Sequence, residues 1–521
     1  MAIKLPKTNR SQAEIRNELV HFIDPKRIDI EKTMVNLFML LRLNGARARL
    51  KIKDKGSNLE IDHLIEEFKR LEKEKRSVVG AEEYPDAVRY WLRSNLTDMV
   101  NRGRETEKFS SLRPIHLLGY GIRNTKHARD YNSADQVYAM LHTDQQVKDD
   151  LKKFLLEGWD DTTRKVAAST KLDIDSLGIL RLLEDRTDAI DDNSPPVFDK
   201  VRPLLAKEAE KFCEDIHALL QYRKEVPRHV LIEYIKTITA FHLSLYLLKL
   251  LRTLPGMAEK GTSEIDYDMN IVVDMTDNPD SLSSKLSMDD AQGFFDSIFD
   301  FLRAMFLINA ALRFLQLKND DSQNLAKVFQ ETSNPSERFR IYCQIEIERI
   351  LQETKDEQDR KIVEDIMSQD DDSIRQYLEI ALKARGKYHH GYHVQLLDAV
   401  MQKNTEFGML AAGRSRKHRR RFAIGSRLLE ALIQLCVLKF NDNKYKTEPV
   451  SIEEFLQWLH SRYGLIINGV EQQRFAGAGV EVHQAFRENM QAFTEKLRQI
   501  GFYSVLSDAF IMQKIRPRYN L

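Results

Sequence analysis

From Ala291 to Leu317 the sequence reads AQGFFDSIFDFLRAMFLINAALRFLQL. Apolar side chains recur every three or four positions, and no proline interrupts them. A stretch of this kind can be stable only as a helix with its apolar face buried. The same period dominates the chain. It predicts helices over Asp29–Leu43, Ile61–Arg76, Tyr84–Val100, Ala134–Leu156, Lys200–Tyr222 and Arg228–Leu254. It continues over Arg338–Thr354, Asp359–Met367 and Ser373–Lys383. In the first of these, Met34, Leu37, Phe38 and Leu41 share one face and Asp29 is placed to cap. Pro255-Gly256 is expected to close the helix that starts at Arg228. One segment breaks the pattern: Asn270–Asp274 (NIVVD) is short and β-branched and reads as a strand, with a loop over Met275–Ser284.

The fold class is therefore mainly α, a multi-helical body without a convincing internal repeat. The segment Arg186–Val201, with Ser194-Pro195-Pro196 inside it, punctuates the chain. We expect an N-terminal helical domain over 1–190, a central helical domain over 191–402, a basic linker over 403–425 and a C-terminal module over 426–521.

The order of elements in the last module is informative. Ser426–Phe440 is an apolar helix, and Tyr445–Val450 is a short extended segment. Ser451–Tyr463 is a second helix, with Ser451 and Glu454 at capping-box spacing. Gly464 ends it, and Leu465–Ile467 reads as a brief strand. Val482–Ile500 is a third helix closed by Gly501, and Tyr503–Leu506 with Ala509–Ile515 reads as a hairpin turning at Ser507-Asp508. This is the element order of a winged helix, an α+β module that sets its third helix in the DNA major groove. Winged-helix folds also serve as protein–protein modules.

Charge is balanced overall, with 80 Lys and Arg against 79 Asp and Glu. Any field that attracts a polyanion must therefore be local. The run GRSRKHRRRF, Gly413–Phe422, supplies one. Six of the eight residues from Arg414 to Arg421 are basic: Arg414, Arg416, Lys417, Arg419, Arg420 and Arg421. Adjacent arginines suit bidentate phosphate contacts, and such binding is strongly salt-dependent. Arg487, Lys496 and Arg498 on the third C-terminal helix complete the candidate nucleic-acid-binding set. An acidic protein partner and a solvated linker remain open readings of the same run.

Two other clusters carry weaker signals. In KYHHGYH, His389 and His393 stand four apart, a spacing seen in zinc sites. No nearby Cys or Glu completes a ligand set, so exposed or capping histidines beside a basic loop are expected. Lys383, Arg385 and Lys387 could extend a basic surface there, with Tyr388 and Tyr392 available to stack on bases. In IVVDMTDNPD, Asp274, Asp277 and Asp280 follow a strand in the manner of metal-binding acids; an Asp- and Asn-rich turn is the default, and a metal-dependent nuclease or another enzyme using the acids around Asp274 the alternative. No phosphate-binding loop, nucleophile elbow or HExxH motif is present, so neither a cofactor nor a metal site is expected.

Cys213, Cys343 and Cys436 lie far apart in apolar helical settings, which argues against a disulfide framework and for a reducing compartment. The N-terminus lacks an apolar signal core. The most hydrophobic stretch, Ala240–Leu251, is short and interrupted by His242 and Lys249. A cytoplasmic protein without a membrane partner is expected.

RLLEALIQLCVLKF, SIEEFLQWLHSRYGLIIN and AFRENMQAFTEKLRQIGFYSVLSDAFIMQKIRPRY resemble the C-terminal region of large accessory proteins in multi-gene prokaryotic anti-phage defence systems, the methylation-associated systems among them. FIDPKRIDIEKTMVNLFMLLRL and IVVDMTD carry a fainter echo of the same group. The resemblance covers roughly the last hundred residues. It implies a non-catalytic subunit that works with other subunits of such a system, beside an ATPase, nuclease or methyltransferase encoded elsewhere.

Overall fold

The computed structural model describes residues 3–4, 15–47, 60–76, 79–100, 106–167, 172–184, 198–413, 419–503 and 514–521, and the backbone alone at 49–50 and 190–191. Helices dominate, and among the described residues no strand exceeds four residues. The chain forms two compact units, both discontinuous in sequence. One gathers Met1–Arg27, Lys200–Glu208 and Ala240–Leu521, and the other Ile28–Asp199 and Ala209–Thr239.

In the unit around Ile28–Asp199, the Asp29 carboxylate accepts the Glu31 N–H and starts the helix Ile30–Arg42. Met34, Leu37, Phe38 and Leu41 are all buried, as their spacing demands. The helix Ile61–Lys73 buries Ile61, Leu64, Ile65, Phe68 and Leu71 against Leu92, Leu96, Ile179 and Leu182. Tyr84–Val100 is not the single helix expected. A helix covers Pro85–Trp91, a wide turn covers Leu92–Leu96, and Thr97–Met99 pairs antiparallel with Phe109–Leu112. The Thr97 hydroxyl donates to the Leu92 carbonyl (2.8 Å), and this β-branched residue leaves the helix for the ladder.

In the other unit the apolar run from Ala291 is interrupted. Helices Leu282–Asp296 and Ile298–Phe314 meet at Ser297, whose hydroxyl donates to the Phe294 carbonyl (2.8 Å). A hydroxyl that binds its own preceding turn competes with the helical ladder and bends it. The helix from Arg228 does not stop at Pro255 but runs to Lys260. Leu254, Met257 and Ala258 are buried, and their burial outweighs the one backbone bond that proline removes. Gly261 supplies the stop instead, with φ +72°, its N–H donating to the Met257 carbonyl. By length and composition this 33-residue helix could cross a membrane, but 83% of its most apolar window is buried inside the protein.

Among the described residues the last hundred positions hold the three expected helices, with additions. After the helix Ser426–Val437, strands Leu438–Asn441 and Lys444–Thr447 form a hairpin. Strand Val450–Ser451 leads into helix Ile452–Tyr463, whose start is closed by the Ser451–Glu454 capping box. Gly464 ends that helix with φ +71°, and a Cβ there would lie 2.1 Å from the Met269 carbonyl oxygen. Leu465–Ile466 then pairs in parallel with Ile271–Val272. Helix Val480–Gln499 follows, and Lys514–Ile515 pairs antiparallel with Val450–Ser451. Most of the expected hairpin from Tyr503 to Ile515 lies outside the described residues.

Candidate nucleic-acid interface

The basic run enters the fold as a strand. Arg421–Phe422 pairs antiparallel with Leu410–Ala411, and the Phe422 carbonyl accepts both the Asp274 N–H and the Ser287 hydroxyl, each at 2.9 Å. Those bonds dictate where the three described arginines go; Arg414, Arg416, Lys417 and His418 lie outside the described residues.

Arg421, expected to face phosphate, is instead buried. Its Nε donates to Asp274 at 2.8 Å, and Asp277 stands 3.7 Å away. Asp274 itself has no exposed side-chain surface. Its other oxygen accepts the Thr276 N–H (3.1 Å), the Thr276 hydroxyl (2.7 Å) and the Ser283 hydroxyl (3.3 Å). A carboxylate so surrounded has no lone pair aimed at solvent, and the guanidinium already supplies its counter-charge. The acid-rich loop is thus a capped turn around a buried ion pair. Among the described residues no cluster of His, Cys, Asp and Glu has the geometry to hold a metal ion.

Arg420 is also engaged. It forms a fork with Asp398 (2.6 and 2.8 Å) and lies over the Phe295 ring at 4.8 Å. Hydrogen bonding to Asp398 raises its affinity for a proton further. Arg419 differs: it is half exposed and meets the exposed Asp289 at 3.2 Å. A pair of that kind is worth little in water and can be exchanged for another anion.

The third C-terminal helix is less basic than its candidate residues suggested. Arg487 is exposed and has no acid partner among the described residues. Lys496 donates to the Ile424 carbonyl (2.6 Å), and burial lowers its pKa. Arg498 pairs with Glu495 at 3.3 Å. Glu481, Glu488 and Glu495 balance the three cations on this helix.

Helix Lys387–Val400 corrects the histidine reading. His389 and His393 do share a face, but it is an inner one, and both are buried. His393 Nδ1 contacts the His389 carbonyl oxygen at 2.8 Å, and burial pushes its pKa down to about 3. Outside that core, Lys26 sits 3.3 Å from the centre of the Tyr392 ring, and Arg385 lies 4.6 Å from that of Tyr388.

The feature the sequence reading missed is the hairpin Leu438–Thr447 (LKFNDNKYKT). Its register sets Lys439 opposite Lys446, Phe440 opposite Tyr445 and Asn441 opposite Lys444. Strand alternation puts Lys439, Lys444 and Lys446 on one face and the two aromatics on the other. The rings lie 4.8 Å apart, and Phe440 is 57% exposed. Asp442 and Asn443 both have positive φ, 51° and 62°, as a two-residue type I′ turn requires. No acid lies within ion-pair distance of these lysines among the described residues. Two like charges directly opposite each other destabilise a ladder. The signal was legible: Asp-Asn between two alternating runs is a hairpin mark.

The model of one protein family, described as methylation-associated defense system protein MAD7, matches residues 10–519. A search of curated proteins finds no match.

Proposed function

Because the chain belongs to the family of methylation-associated defense system protein MAD7, we propose that it is a non-catalytic, nucleic-acid-holding subunit of such a system, working with the system's other proteins. The observation that carries this reading is the lysine face of the Leu438–Thr447 hairpin, where Lys439 stands opposite Lys446 and neither forms an ion pair among the described residues. Such an arrangement costs stability in the free protein and is relieved when a polyanion lies along it. Arg419 and Arg487 add exposed cations, and the Phe440–Tyr445 pair offers rings for contacts with sugars or unpaired bases. The pairing of Val450–Ser451 with Lys514–Ile515 supports a winged-helix-like module, since that wiring joins the strand before the second helix to a strand after the third. The even charge of helix Val480–Gln499 favours backbone contacts from the hairpin over base reading from this helix. The cytoplasm is the proposed location, which three buried free cysteines suit.

The test is fluorescence anisotropy with a labelled DNA duplex, titrated at several salt concentrations. The triple variant Lys439→Gln, Lys444→Gln, Lys446→Gln is expected to bind at least tenfold more weakly with a shallower salt dependence. Equal affinity and equal slope for wild type and variant would overturn the reading.

A further inference from the structure

In the unit that contains Ile28–Asp199, an open groove of about 260 Å³ is lined by Phe68, Val79, Tyr84, Val88, Trp91 and Ile174. Val79 is 88% exposed, Tyr84 59% and Ile174 56%. Isolated exposed apolar residues are ordinary, but here they gather over one aromatic floor. That floor is built rather than incidental. The Trp91 ring packs on Phe68 with centroids 5.3 Å apart, and its Nε1 donates to Asp175 at 2.5 Å. A Cβ at Gly178 would lie 2.5 Å from the indole, so only glycine lets the ring lie this close to helix Ile174–Leu183. The chain just after Val79 is fixed as well: the Glu72 carboxylate accepts the N–H groups of Gly80 (2.5 Å) and Glu82 (2.9 Å).

Acids adjoin the lining residues. Glu82, Glu83 and Asp86, chain neighbours of Ala81, Tyr84 and Ala87, are exposed, and Asp175 follows Ile174 and holds the Trp91 indole. Only Glu82 is matched by a cation among the described residues, Lys73 at 2.7 Å. This charge decides between occupants. A nucleic acid would bring phosphates against carboxylates. A second copy packed about a two-fold axis would set these acids against their own copies. A polypeptide that inserts an apolar side chain over Trp91 and flanks it with Lys or Arg satisfies both the groove and the adjoining acids.

We propose that this groove docks a basic, apolar-anchored segment of another protein of the same defence system. The inference is independent of nucleic-acid binding, which rests on the lysine hairpin. The decisive experiment places the photo-crosslinker p-benzoylphenylalanine at Tyr84 of the full chain, co-expressed with the other proteins of its system. After irradiation the adduct is mapped by mass spectrometry. The expected result is a bond to a different polypeptide, at a segment where an apolar residue is flanked by Lys or Arg. Val79→Glu, at a position too exposed to matter for folding, should lower the yield at least tenfold. An adduct to a second copy, to nucleic acid, to an acidic segment or within the same chain would overturn the proposal, as would no adduct at all.

Discussion

Arg421 Nε lies 2.8 Å from an oxygen of Asp274, and the two side chains retain 8% and 0% of their exposure. This pair ties the strand that ends the basic run to the loop after Ile271–Val272. Removing one partner of such a pair leaves the other charge buried and uncompensated, at a cost of about 3–5 kcal/mol. Asp274→Ala and Arg421→Met should therefore each lower stability by several kcal/mol in urea denaturation. The double variant should recover much of that loss, because no unpaired charge remains. Single variants as stable as wild type would show that the pair does not hold these segments together.

Asn489 makes the second long-range tie. Its side-chain oxygen accepts the Met275 N–H at 2.7 Å, and its amide donates to the carbonyls of Val273 and Ile467, both at 2.9 Å. One fully buried amide thus joins helix Val480–Gln499 to two strands that pair only over two residues. Asn489→Leu keeps the branched outline of the side chain but leaves three backbone groups unpaired. Buried groups of this kind cost about 1–3 kcal/mol each. Loss of cooperative unfolding, or a fall of more than about 3 kcal/mol in denaturant, is the expected outcome.

Local rules were legible in the sequence wherever a local force decided the structure. Asp29 caps, Ser451 and Glu454 form the expected box, and Met34, Leu37, Phe38 and Leu41 face inward. The periodicity also implied a mainly helical chain. What could not be read was set by partners distant in sequence. Pro255 sits inside a helix because the turn beyond it is buried. Leu465 pairs with Ile271, 194 positions away, and nothing local announces that register. The basic run looked uniform, yet Arg421 finds Asp274, Arg420 finds Asp398, and of the three described arginines only Arg419 is half exposed. Among the described arginines of the run, carboxylates distant in sequence decided which are buried. The lysine hairpin was overlooked although its Asp-Asn turn was visible.

His21 and His393 should make stability depend on acid. Both touch the Phe301 ring, with centroids 6.1 and 5.4 Å away, and His21 Nδ1 and His393 Nε2 have no hydrogen-bond partner among the described residues. Burial pushes their pKa values down to about 4 and about 3. Their ordinary value is near 6.5, so below that pH the unfolded chain binds protons that the folded chain refuses. The sign follows: this contribution is complete above pH 6.5 and is lost as pH falls toward 4 and then 3. The slope is about 1.4 kcal/mol per pH unit for each histidine. Urea midpoints at pH 7, 6 and 5 should fall steadily for wild type and less steeply for His393→Gln. Parallel curves would show that His393 is protonated in the fold.

Lys446 separates the cost of the hairpin from its use. In the free protein it faces Lys439 across the ladder, a repulsion that opposes pairing. Lys446→Glu turns that repulsion into an attraction and should stabilise the protein by roughly 0.2–1 kcal/mol. The same change places a negative charge where phosphate is proposed to lie. It should reduce DNA affinity at least tenfold and lower the slope of log affinity against log salt by about 0.9 for each phosphate no longer neutralised. Denaturation and anisotropy on one preparation check both halves. A variant that gains stability and loses binding is what a face kept for an anion requires. If stability falls along with binding, Lys446 serves the fold, and the lysine face loses its claim as the interface.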